Sequence, residues 1–145
     1  MRFTMAEANA CGFCAIVEGR APADFVLQDA STVAFLDRRP LFPGHVLVVP
    51  RSHYETLIDL PTGEIGPLFA NVQRICGALE HALGAEGTLV AVNNRVSQSV
   101  PHLHVHVVPR RKGDGLRGFF WPRHPYESDA AAAAVAAKVR AALGP

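Results

Sequence analysis

Three histidines alternate with aliphatic residues in His102-Leu103-His104-Val105-His106-Val107-Val108. A β-strand sends successive side chains to opposite faces, so Leu103, Val105 and Val107 are expected to enter a core while His102, His104 and His106 line the other face. Each two-residue step covers roughly 6.6 Å, which sets the outer two imidazoles on the order of 13 Å apart. One small ion does not span that row, so divided labour along it is expected. A solvated strand face has no reason to select histidine three times, and chemistry is the better account. A second cluster of reactive types lies at the start of the chain, where Cys11 and Cys14 form a C-x-x-C pair. Two cysteines are too few for a metal site alone. The redox alternative is a thioredoxin-type pair, but that motif follows a strand in a βαβ unit, and none is visible here. Cys76 stands alone in a helical pattern and reads as a small buried hydrophobe.

The elements that must position these groups are legible in outline. Ala15 to Arg20 reads as a short helical turn ended by Gly19. Phe25–Gln28 and Thr32–Leu36 are strand-like runs joined by Asp29-Ala30-Ser31, the pattern of a hairpin. Pro40 and Pro43-Gly44 end that unit, and His45 to Pro50 is a buried strand by its β-branched content. From Thr62 to Leu83, the residues Ile65, Leu68, Phe69, Val72, Ile75, Cys76, Leu79 and Leu83 recur on one helical face, with Gly84 as the stop. Thr88–Val92 and His102–Val108 complete the strands. The expected fold class is α+β, with a mainly antiparallel five-stranded sheet, one long central helix and a C-terminal helical tail. Residues 11–112 form the expected main domain. Residues 113–145 are a tail, with a final helix capped by Ser128 and striped by Val135, Val139 and Leu143. The tail is too small to fold alone and is expected to dock on the main domain or a partner subunit.

Composition narrows the function classes. The chain has 145 residues, 49% of them hydrophobic and 19% charged, which suits one globular domain with a real core. A net charge of +1 argues against a protein that coats nucleic acid. No run of about 18 apolar residues is present to cross a bilayer. The first residues lack a signal-peptide core, so a cytoplasmic, reducing setting is expected. The arginines flanking these motifs, Arg38, Arg39, Arg51, Arg95, Arg110, Arg111, Arg117 and Arg123, read mostly as a solvated face, as does Lys112. His81 falls on the polar side of the long helix and reads as inert, and His124 is not assigned to the site. Phe119-Phe120-Trp121 reads as aromatic packing against the body.

The motif His-φ-His-φ-His-φ-φ, with φ aliphatic, is matched throughout His102–Val108, and on it the chain resembles the histidine-triad (HIT) proteins. Other landmarks follow in the family's order: Cys11-x-x-Cys14, Phe35-Leu36-Asp37, Gly44-His45-Val46-Leu47-Val48-Val49-Pro50 with His53 after it, Asn93-Asn94, and Gln98-Ser99. The resemblance covers about residues 11 to 112 and points to the zinc-containing, bacterial-type members of the nucleotide hydrolase branch. It implies that His104 is the nucleophile at phosphorus and forms a nucleotidyl-histidine intermediate that water then cleaves. A neutral imidazole can do this when one nitrogen is held as a donor, usually to a backbone carbonyl, and the other keeps its lone pair. His106, Gln98 and Ser99 would meet phosphate oxygens. His45 would orient the triad, Asp37 would take the ribose hydroxyls, and Asn93 belongs to the substrate-binding set. The resemblance also implies a structural zinc held by Cys11, Cys14, His53 and His102, a closed four-ligand set. It further implies a purine nucleotide substrate containing adenosine, and a homodimer with the sheet continued across the interface.

Two departures bear on substrate. Arg95-Val96-Ser97 is shorter than the glycine-rich loop of many hydrolase members and lacks glycine, so leaving-group contacts are expected to differ. Val100-Pro101-His102 is similar to the Pro-His of the galactose-1-phosphate uridylyltransferase branch, but that branch has glutamine at the position of His106 and much longer chains. The alternatives are a nucleotidyltransferase, a nucleotide-binding regulator with weak turnover, and a zinc hydrolase chelating through His102-x-His104. The last lacks a carboxylate near the triad to serve as base.

Overall fold

A computed structural model of the chain describes residues 10–116 and 123–145. The chain forms two compact units, one of residues up to Lys112 and one from Gly113 onward. In the first unit the elements run α1 (Gly12–Val17), β1 (Phe25–Gln28), β2 (Thr32–Leu36), β3 (Val46–Pro50), a single 3-10 turn (Leu57–Asp59), α2 (Thr62–Leu83), β4 (Gly87–Ala91) and β5 (Val105–Arg110). The second unit contains α3 (Asp129–Leu143), whose first turn is capped by Ser128 Oγ accepting the Ala131 N–H at 3.1 Å. Phe119-Phe120-Trp121 and Arg117 lie outside the described residues.

The five strands make one sheet in the order β1-β2-β3-β5-β4, and every neighbouring pair is antiparallel. This is the α+β architecture expected from the sequence. The hairpin joining β1 to β2 turns on Asp29, whose Oδ1 accepts the N–H groups of Ser31 and Thr32. β3 is buried along its whole length, because helices lie over both of its faces. On one face Ala34, Val46, Val48, Leu103, Val105 and Val107 meet Leu68, Val72, Ile75 and Leu79 of α2. On the other, Val33, Phe35, Leu47 and Val49 meet Phe13, Ile16 and Val17 of α1. Aliphatic alternation on the histidine segment therefore separates core from site as anticipated.

Three local differences from the sequence reading have physical causes. α1 starts at Gly12 instead of Ala15, because Cys11 acts as its N-cap and draws the cysteine pair into the helix. Ladder pairing of β5 starts at Val105, since the preceding Leu103 N–H is taken by the Tyr54 carbonyl at 2.7 Å. The apolar face of α2 is narrower than its pattern, with Ile65 and Leu83 substantially exposed near its ends, while a polar residue, Asn71, is buried in its middle. Asn71 Nδ2 donates to Asp29 Oδ2 at 2.7 Å, pinning the hairpin tip to the helix. α2 ends as expected at Gly84, which adopts φ 63°.

Candidate active site and metal centre

The three triad histidines occupy different surroundings on the α1 side of the sheet. His102 is fully buried, and its Nε2–H donates to the Pro50 carbonyl at the end of β3 at 2.9 Å. That bond leaves Nδ1 as a lone pair, and Nδ1 lies 3.6 Å from Cys11 Sγ and 3.5 Å from Cys14 Sγ. His53 Nδ1 lies 3.2 Å from Cys14 Sγ. The four donor atoms of Cys11, Cys14, His53 and His102 all fall within 4.8 Å of one another. A tetrahedral zinc with bonds of about 2.3 Å to sulfur and 2.0 Å to nitrogen requires S···N edges of about 3.5 Å. The set fits that ion in donor chemistry and in spacing. A carbonyl-bonded Nε2–H behind the ligating nitrogen is also the usual support of a metal-bound imidazole. Burial and the neighbouring Cys11 push the Cys14 thiol up to about 12, the opposite of a redox-active pair, which needs a stabilised thiolate. A divalent cation would reverse that preference.

His104, two residues on, is also buried. Its Nδ1–H donates to the His102 carbonyl at 2.7 Å, which leaves Nε2 unprotonated. Burial holds its pKa below the ordinary imidazole value, with the carbonyl bond opposing. The ring lies edge-to-face with Phe13 of α1, at a centroid distance of 5.1 Å, and 4.9 Å from the His106 ring.

His106 sits in β5 opposite Leu47 of β3 and Ala91 of β4. Its Nδ1 lies 2.9 Å from His45 Nε2. The proton positions in this pair follow from the backbone. The Leu41 N–H donates to His45 Nδ1 at 3.1 Å, so neutral His45 carries its proton on Nε2 and donates it to His106 Nδ1. His106 is then a donor at Nε2. Burial, followed by the neighbouring His104 and His45, lowers the His106 pKa to about 4, and burial also lowers that of His45. Asp37 joins this group, its Oδ2 3.8 Å from His45 Nε2, while its Oδ1 accepts the Arg39 N–H at 2.9 Å. Folding thus brings a carboxylate beside the triad that the sequence reading had not expected there.

The remaining candidates lie on the segment between β4 and the triad. Asn93 is exposed two residues beyond Ala91, which pairs with His106. Its neighbour Asn94 has a structural part, its Oδ1 accepting the Leu57 N–H at 2.9 Å. Gln98 has both ends of its amide on backbone: Nε2 donates to the Glu55 carbonyl at 2.6 Å and Oε1 accepts the Arg95 N–H at 2.8 Å. Ser99 lines an open cleft of about 430 Å³ that also touches Cys11, Gly12, His53 and Glu55. The loop that lacks glycine turns by placing Arg95 and Ser97 at φ 67° and 60°, a left-handed conformation that side chains resist. Three contributors were not singled out from the sequence: Phe13, the Leu41 N–H and the Pro50 carbonyl. Only Phe13 carried a signal, as a large aromatic enclosed between two metal-type cysteines.

The HIT domain profile matches residues 18–113 of the chain. An uncharacterised HIT-like protein of Methanocaldococcus jannaschii is 41% identical over 107 residues, covering 72% of this chain and 82% of its own. The adenylylsulfatase HINT3 of Arabidopsis thaliana is 34% identical, over 74% of this chain and 56% of its own. An adenosine 5′-monophosphoramidase of Candida albicans is 30% identical, over 86% of each. Among solved structures, a zinc-bound histidine triad family protein from Mycobacterium smegmatis is 36% identical, with a TM-score of 0.71 over 93% of this chain and 99% of that one. A protein from Streptococcus mutans is 33% identical, with a TM-score of 0.83 over 93% and 86%. Sheet order, triad alternation and profile agree, and the chain belongs to the HIT family.

Proposed function

We propose that this chain is a nucleotide hydrolase that cleaves a P–N or P–O–P bond to a nucleoside 5′-phosphate through a covalent intermediate on His104. The observation that carries this reading is the 2.7 Å bond from His104 Nδ1–H to the His102 carbonyl. It leaves Nε2 of a neutral imidazole with its lone pair and provides an acceptor for the positive charge that the ring gains when Nε2 bonds to phosphorus. In the first step the Nε2–P bond forms and the bond to the leaving group breaks. His106, whose ring N–H is on Nε2, donates a hydrogen bond to a phosphate oxygen as charge develops and keeps its proton, and His45 holds it in that tautomer. The leaving group takes its proton from solvent water. In the second step water attacks phosphorus and gives up a proton to solvent, the N–P bond breaks, and its electron pair returns to Nε2. Asp37 is assigned to the ribose hydroxyls through Oδ2, Ser99 to the phosphate side, and Asn93 to the substrate-binding set. Gln98 acts there by bracing the loop, in keeping with its two backbone bonds.

The reading includes a structural zinc on Cys11, Cys14, His53 and His102. The ion would cross-link α1, the end of β3 and the catalytic segment, and no chemical step runs through it. Chelation by His102-x-His104 is disfavoured because the two rings serve different partners. Relatives named for adenylylsulfate and adenosine phosphoramidate cleavage support an adenosine nucleotide as the substrate, and one named a bis(5′-nucleosyl)-tetraphosphatase supports a dinucleoside polyphosphate. The second copy of a homodimer would add to the sheet at its β4 edge.

Rapid mixing with adenosine 5′-phosphoramidate or a dinucleoside polyphosphate, followed by intact-protein mass spectrometry, tests the chemistry. The wild type is expected to gain a transient adduct of nucleotide mass that His104→Gly lacks. Turnover without any adduct, or retained turnover in His104→Gly, rejects the covalent route. Transfer of the nucleotide to an added alcohol or phosphate acceptor in preference to water would make the chain a nucleotidyltransferase.

A further inference from the structure

α1 spans only Gly12–Val17, too short a helix to persist without tertiary support. Support comes from its first turn. Cys11 caps the helix, its Sγ accepting the Cys14 N–H at 3.4 Å, and both sulfurs face His102 Nδ1. Phe13 stands between these two cysteines. Its ring lies edge-to-face on His104 at 5.1 Å and 86°, on His102 at 6.0 Å, and on Phe35 of β2 at 5.4 Å. The bond to the His102 carbonyl fixes one nitrogen of His104 but leaves rotation of the ring about that bond to be limited by packing. The rings of Phe13 and His106, at 5.1 and 4.9 Å, supply that packing, and the place of Phe13 is set by the cysteines on either side of it in sequence.

We propose that Phe13 is a positioning residue for His104, and that the cluster of Cys11, Cys14, His53 and His102 serves the site by keeping Phe13 seated. This rests on His104 being the nucleophile. Metal occupancy and nucleophile geometry are then coupled, and the coupling is reciprocal: what orders the His104 ring also tightens metal binding. A merely structural Phe13 would contribute apolar volume next to Phe35, which leucine largely replaces. A positioning Phe13 needs the flat ring edge, which tyrosine keeps.

The test uses full-length, zinc-loaded protein with 15N-labelled histidine, as wild type, Phe13→Tyr, Phe13→Leu and Phe13→Ala. Long-range proton–nitrogen spectra at about pH 8, above the ordinary imidazole range, report which His104 nitrogen carries the proton and how rigidly. Zinc content is measured in parallel. The expected result is one zinc per chain throughout, a wild-type His104 signature in Phe13→Tyr, and a broadened or mixed signature in Phe13→Leu and Phe13→Ala. Adduct formation in those two should slow by roughly tenfold to a hundredfold, the scale of a small misplacement of a reacting group. Removing zinc from the wild type with a chelator should produce the same His104 change, and should add little to it in Phe13→Ala. An unchanged His104 signature in both Phe13→Leu and Phe13→Ala overturns the proposal, as does an additive effect of zinc removal. Should Phe13→Ala fail to fold, Phe13→Leu carries the test. The spectra need no substrate, so absence of any adduct in the wild type would reject the catalytic reading while the spectra still decide the positioning.

Discussion

At the scale of the residue, the fold assigns each imidazole of the candidate site one protonation pattern through a neighbouring backbone group. His102 is held by the Pro50 carbonyl, His104 by the His102 carbonyl and His45 by the Leu41 N–H, and His106 inherits its pattern from His45. Burial reinforces this by disfavouring the charged form of all four. His106, with its pKa lowered from 6.5 to about 4, is therefore expected to stay neutral well into the acid range. Single-turnover rates measured between pH 5 and 8 should show no loss near 6.5 assignable to His106, whereas His106→Ala should slow the chemical step roughly a hundredfold without abolishing the adduct. An inflection near 6.5 that disappears in His106→Ala would contradict this. Stability carries the opposite face of the same shift. Between about pH 4 and 6.5 the unfolded chain binds more protons than the folded one, so the contribution of His106 is complete above 6.5 and declines as pH falls towards 4. Thermal melts across that window should show Tm decreasing on acidification.

At the scale of the element, the loop entering β3 is as constrained as the triad. Gly44 adopts φ 98°, and a Cβ there would lie 2.5 Å from Leu83 Cδ1 of α2 and 3.4 Å from Pro109 Cγ of β5. It immediately precedes His45, so the close approach of α2, β3 and β5 at this corner sets where His45 starts. Gly44→Ala is expected to cost about 1–3 kcal/mol, chiefly from backbone strain at the positive φ, since the half-exposed Leu83 side chain can swing aside. Leu83→Ala in the same chain should recover only the steric part. Urea titrations of the single and double variants check the expectation, and equal stability of Gly44→Ala and wild type would refute it. The hairpin is tied down in a comparable way by Asn71 and Asp29, whose carboxyl is held below the usual range chiefly by that bond.

At the scale of the whole molecule, the sheet ends in two edges, β1 and β4. Unpaired edges are templates for further strands. β4 is only partly covered along its length, and Val90 is exposed. A symmetric second copy pairing at β4 would close that edge and bring two triads into one particle. Light scattering of the wild type should give the mass of two chains, and Val90→Glu should shift it towards one while leaving zinc content unchanged. A monomeric wild type would remove β4 from consideration as an interface. Among the described residues, no helix is long and apolar enough to cross a membrane.

What the sequence determined by itself is whatever depends on neighbours along the chain. Alternation on Leu103, Val105 and Val107, the 3.6-residue face of Leu68, Val72, Ile75 and Leu79, and the stop at Gly84 are local properties, and they prescribe the sheet, the long helix and the face on which the histidines lie. Family resemblance adds the candidate residues, but not their geometry. Tertiary structure decided what requires partners distant in sequence. Cys11 meets His102 across ninety-one positions, and His45 meets His106 across sixty-one. The buried Asn71 defied its polar type because Asp29, forty-two positions away, satisfies it. Phe13 meets His102 and His104 only because α1 folds onto β2 and the triad segment. In a free histidine either ring nitrogen can carry the proton. The assignment of each proton here belongs to the carbonyls and N–H groups that folding brought beside the rings.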